Sequence, residues 1–167
     1  MAKTSGNTRC SKWTSSNNTE KRLYYHGDRR LEYNELTSDE KRLVKDEKNK
    51  VAKELYQKFK NEVTKQTIDN GQQITIKYTS RGLDHFANDA MLTLSGKYFS
   101  KKSMMRINEI LEKSIYVPTK HSLKHSRTDG RNLWFRYIDN EGRGVYFHVC
   151  WNEQLNTHEL YSVTDKI

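Results

Sequence analysis

A chain of 167 residues, 34% hydrophobic and 31% charged with a mean hydropathy of −1.03, has material for one core and a surplus of polar sequence. No apolar run is long enough to cross a bilayer as a helix, and the start, Met1 to Asn7, lacks the apolar stretch of a secretory signal. The net charge is +9, and its concentration within residues 97–136 favours polyanions as partners, nucleic acid before an acidic protein or a membrane surface, with a merely solubilising basic surface the equal alternative. Two distant cysteines, Cys10 and Cys150, match no metal spacing and point to a reducing compartment.

Residues 1–20 are rich in Ser, Thr, Asn and Lys and read as a disordered basic tail, with Trp13 the exception. Residues 21–70 read as a helical extension. The spacing Thr37-Ser-Asp-Glu40 is that of a capping box, and Leu43, Val44, Val51, Leu55, Phe59 and Val63 recur mostly at four-residue steps as far as Lys65. Such a helix, roughly 28 residues and about 40 Å long, exceeds what a small domain needs, so part of it is expected to project. Asp69-Asn-Gly71 ends it, and the shift in composition there sets a boundary before a domain of residues 71–167.

Gln73 to Tyr78 alternates polar and apolar residues as a strand does. Thr79 or Ser80 caps a helix whose face is Leu83, Phe86, Ala87, Ala90, Met91 and Leu94. His85 lies roughly 200° around from Leu83, looking to solvent or into a cleft. A second helix, capped by Ser100 or Ser103, turns Met104, Ile107, Ile110, Leu111 and Ile115 to the core. Ile115 to Thr119 then reads as an edge strand, since Pro118 cannot donate a ladder hydrogen bond.

Between residues 97 and 136 ten basic side chains face three acidic ones, a local charge of +7. Its densest part holds Lys120, His121, Lys124, His125 and Arg127, where phosphate contact is more natural than metal binding: no thiol or carboxylate completes a ligand set, and the neighbouring charges oppose a cation. A solvated loop is the alternative.

Leu133 to Asp139, Val145 to Trp151 and His158 to Thr164 read as three antiparallel strands joined by turn-rich segments. Side chains alternate across a strand, so Leu133, Phe135, Tyr137, Val145, Phe147, Val149 and Trp151 form a core face. Trp134, Arg136, Ile138, Tyr146, His148 and Cys150 form the other, joined by His158, Ser162 and Thr164 if Tyr161 and Val163 point inward. This second face is the candidate working surface; an ordinary half-solvated sheet face is the alternative. The fold class expected is α+β, an N-terminal helical extension followed by a strand, two helices and an antiparallel meander.

This order over residues 72–167, with His85 in Thr79-Ser-Arg-Gly-Leu-Asp-His85 and the terminal Leu160-Tyr-Ser-Val-Thr164, resembles the barnase, EndoU, colicin and RelE-like nucleases, especially those of phage head proteins and polymorphic toxins. The resemblance implies metal-independent, cofactor-free RNA cleavage through attack of the ribose 2′-OH on the adjacent phosphate, leaving a cyclic phosphate. It makes His85 and His148 proton-transfer candidates, Arg136 the clamp on the phosphorane, and Ser162 or Thr164 a phosphate donor. Trp134 and Tyr146 could stack bases. The implied partners are RNA, tRNA among the candidates, and a cognate inhibitor protein, without a membrane. The implied place of action is the cytoplasm of the producing cell or of a target cell. A non-catalytic nucleic-acid-binding module and a phage-associated structural adaptor are the competing readings, with an ADP-ribosyltransferase a distant one. No phosphate-cradling glycine loop and no Gly-x-Ser-x-Gly elbow is present.

Overall fold

In the computed structural model, which describes residues 25–26, 29–30, 33–92, 99–118 and 132–165, the capping box forms as its spacing requires. Thr37 Oγ1 accepts from the Glu40 amide at 3.2 Å, and Glu40 Oε1 accepts from the Thr37 amide at 2.8 Å. Helix α1, Ser38–Phe59, grows from it, preceded by a small ladder of β1, Tyr25–His26, and β2, Arg29–Arg30.

Helix α1 stops at Phe59, short of the expected Lys65. Val63, though placed on the helical four-residue step, starts β3, Val63–Thr67, and is 48% exposed. Its neighbour Thr64 is the buried one, hydrogen-bonded to the Tyr78 hydroxyl. Val63, Thr64 and Thr67, three β-branched residues among five, lose side-chain freedom in a helix and favour a strand. β3 folds back through Asp69–Gly71, with Gly71 at φ 75°, and pairs antiparallel with β4, Gln73–Lys77. A hairpin thus stands where a single strand was expected.

Nor does α1 project. Val44, Val51, Leu55 and Phe59 are fully buried in the same hydrophobic cluster as Phe135, Phe147 and Leu160 of the sheet. A buried Lys48 Nζ reaches Asp84 Oδ1 at 3.0 Å, tying α1 to α2, Ser80–Leu92. The second helix of the sequence reading is two pieces, α3, Lys101–Met104, and α4, Ile107–Lys113, with Ser100 capping the first. Met104, Ile107, Ile110 and Leu111 face the core, but Ile115 does not. It belongs to β5, Ile115–Tyr116, and is 72% exposed.

β6, Asn132–Ile138, β7, Gly144–Asn152, and β8, Thr157–Thr164, form the expected meander. Asp139 Oδ1 closes the first turn by accepting from the amides of Glu141 and Arg143 at 2.9 and 2.8 Å. The meander is part of a mixed six-stranded sheet, ordered β3-β4-β8-β7-β6-β5, in which β4 and β8 are parallel. The architecture is α+β, and no helix among the described residues is long and apolar enough to cross a membrane.

The parallel contact is short: β4 meets β8 only at Ile76 with His158 and Lys77 with Glu159. Beyond it the chain turns into α2, which packs beside the rest of β8. Gly82 allows this approach, because a Cβ there would collide with the Leu160 carbonyl oxygen.

Two outcomes test this packing by urea denaturation. Leu55→Ala should cost about 2–5 kcal/mol, as a cavity in a shared core does, whereas a projecting arm would lose almost nothing. Gly82→Ala, which inside an ordinary helix gains up to about 1 kcal/mol, should lower the midpoint here.

Candidate functional site

Residues four apart on a helix share a face, and Arg81, His85 and Asp89 form such a stripe on α2. It faces β8 from Glu159 to Ser162. His85 Nδ1 lies 3.1 Å from the Tyr161 carbonyl oxygen and 3.3 Å from Asp89 Oδ2, so one N–H is directed at two acceptors. The Ser162 hydroxyl donates to the same Asp89 oxygen. Nδ1 being engaged, Nε2 is the nitrogen left for chemistry, and the imidazole is 43% exposed. The Asp89 hydrogen bond raises the pKa of His85 above the ordinary imidazole value, while partial burial works against the rise.

A β-bulge delivers Tyr161 to this point. His148 pairs with Ser162 but Val149 with Leu160, so β8 carries one residue more than β7, and that residue is Tyr161. The insertion shifts the alternation of β8 halfway along. Val163 and Leu160 are both buried, and Tyr161 comes out on the working side instead of pointing inward as the alternation suggested. Its ring stacks on His85, with centroids 4.0 Å apart and planes at 19°.

His148 reaches the same phenol from β7, its centroid 5.9 Å from that of Tyr161 and nearly perpendicular to it. The two histidines of the sequence reading therefore share one aromatic neighbour. His148 is half-buried, its Nε2 hydrogen-bonded to Asn132 Oδ1 and its ring stacked on Trp134 at 4.7 Å. Trp134 is only 8% exposed, so it presents its ring to His148 rather than to solvent.

The bulge also separates His158 from the working face. His158 pairs with Trp151 on the opposite side, and its place beside Cys150 is taken by Glu159. Glu159 is fully buried, and Thr79, Arg81 and Cys150 converge on its carboxylate. Three groups holding one buried charge fix the start of α2 on β8. Burial first, and then Glu159, push the Cys150 thiol up to about 11, so it is no nucleophile near neutral pH. Arg81, held by Glu159, keeps a largely exposed side chain and lies 5.6 Å above the Tyr161 ring.

One row further along the sheet, Arg136, Tyr146 and Thr164 are cross-strand neighbours. Arg136 leans away from the histidines: its Nε would lie 3.5 Å from a Cβ built on Gly144, which pairs with Ile138. Lys120, His121, Lys124, His125 and Arg127 lie outside the described residues. Sequence reasoning missed Arg81, Asp89, Asn132, Glu159 and the outward Tyr161. The stripe of Arg81, His85 and Asp89 was legible as helix spacing, while the rest depends on the bulge and on strand pairing.

Compared with known proteins, the chain matches no protein-family model, no curated protein and no solved structure.

Proposed function

We propose that the chain is a metal-independent endoribonuclease of the barnase, EndoU, colicin and RelE-like kind. The observation that carries this reading is the convergence of His85 and His148, from a helix and a strand, on Tyr161, with His85 anchored by a carboxylate. Cleavage by the 2′-OH needs a base to take its proton as O2′ bonds to phosphorus. It also needs an acid to protonate O5′ as the P–O5′ bond breaks, and positive charge near the phosphorane. The two imidazoles serve as base and acid. Arg81, which lies over the Tyr161 ring that both histidines meet and shares its charge with Glu159, takes the role assigned to Arg136 on sequence grounds. Ser162, bound to Asp89, holds the carboxylate that orients His85, and Thr164 remains the hydroxyl nearer Arg136. Trp134 orients His148, leaving Tyr146 to stack a base. Cellular RNA is the substrate class, with tRNA included, and a toxin role with a protein inhibitor accords with so small and basic a nuclease.

Incubation of the full chain with total RNA in EDTA should give discrete fragments ending in a cyclic phosphate. His85→Ala and His148→Ala should each lower the rate by about 10²-fold or more. Retention of cutting by both variants, or salt-sensitive binding without cutting, would replace this reading with that of a binding module.

The pH profile supplies an independent check. Asp89→Asn removes the group that raises the His85 pKa, so a limb of the rate profile should move to lower pH: the acid limb if His85 is the base, the alkaline limb if it is the acid. A profile that keeps both limbs in place excludes His85 from proton transfer. The same pair acts on stability. A pKa raised by folding adds stability that is fully present below the unfolded value and is lost as pH rises through the folded one, so Asp89→Asn should destabilise more at acidic than at alkaline pH.

A further inference from the structure

At the sheet edge away from α2, on the face that carries His148, β5 and the end of β6 border a cleft of about 510 Å³. Its floor is apolar and open to water: Ile115 is 72% and Ile138 45% exposed, with Val117 next to them. Val117 continues the β5 pairing through its amide, which donates to the Trp134 carbonyl at 2.8 Å, so the floor is rigid sheet. Two cations, Lys113 and Arg136, border it, both exposed and neither in an ion pair with a described residue. Arg136 leans toward Gly144, the cross-strand partner of Ile138, and so toward the cleft rather than toward His148. Exposed isoleucines flanked by unneutralised cations make an apolar surface with anionic edges wanted on it, and an unstacked nucleotide has a flat apolar face and a phosphate.

We propose that this cleft binds a flanking nucleotide of the single-stranded RNA that is held at His85 and His148. The base lies on Ile115, Val117 and Ile138, and its phosphate is met by Arg136 and Lys113. Two residues along a strand advance about 6.7 Å, so Arg136 stands one row from Trp134 and Ile138 two. An RNA strand crossing from His148 on β7 over its β6 partner Trp134 and on past Arg136 would reach this floor. This rests on the ribonuclease reading, which the cleft would extend from a cutting site to a track with a fixed direction.

The test is binding of a fluorescent single-stranded RNA oligonucleotide to the full chain carrying His85→Ala, across a series of salt concentrations, with Lys113→Ala or Ile138→Glu added. Lys113→Ala should reduce the slope of log affinity against log salt by about 0.7, the share of one phosphate on a single strand. Ile138→Glu should weaken binding about tenfold or more, and circular dichroism should show each variant folded. Binding that is undetectable, or that both additions leave unchanged, overturns the cleft proposal even if the wild type cuts RNA. Binding that both weaken, from a wild type that never cuts, upholds the cleft and overturns only the ribonuclease reading. A dimer in sedimentation that Ile138→Glu dissociates would assign the cleft to a second copy of the chain and also overturn the proposal.

Discussion

The packing of α2 against the exposed edge of β8 is the contact on which the arrangement depends. β4 leaves β8 after two residue pairs, and the backbone beyond would otherwise face solvent as an open edge. The helix covers it so closely that position 82 admits no side chain. One consequence is chemical. The carbonyl of Tyr161, at a sheet edge and without a strand partner there, becomes an acceptor for His85.

Everything polar at the site is braced by a neighbour whose own position is fixed. Glu159 is buried where no sheet face would ordinarily place a carboxylate, and it is stable there because Thr79, Arg81 and Cys150 surround it. Asp89 is shared between Ser162 and His85, linking helix to strand a second time. Asn132 and Trp134 hold His148 from the side away from the helix. Side chains so restrained lose little freedom when they act, which suits groups that must transfer protons at set distances. On the proposed reading, the sheet supplies rigidity and the helix tunes the imidazole.

Element types were legible in the residues more readily than their partners. The capping box at Thr37, the apolar face of α2 and the three strands of the meander follow from spacing alone, and they stand within a residue or so of the expected places. Val63 misled because a four-residue step from Phe59 fits a continuing helix and also the first residue of the strand that follows it; the β-branched Thr64 and Thr67 were the competing signal. Ile115 misled in the same way, since its helical step from Leu111 continues the core face of α4, yet the chain has already become strand. The site was half visible. His85 and His148 could be placed by helix and strand periodicity, but their meeting at Tyr161 required the bulge, which strict alternation cannot express. Asp89 and Glu159 carry no sequence signal of their own; helix packing and strand pairing place them beside β8 and beneath α2.

The extra residue in β8 has a meaning for how this strand can vary. Thr157 to Leu160 and Ser162 to Thr164 are two half-strands of opposite parity, joined at a single phase slip. Each half can exchange one apolar residue for another, or one hydroxyl for another, with local effect. A change in the number of residues is different in kind. Removing one position between Leu160 and Val163 would restore regular alternation, turn either the apolar or the polar members of one half to the wrong side, and separate the tyrosine from both imidazoles at once. The terminal strand is thus constrained in length more tightly than in composition.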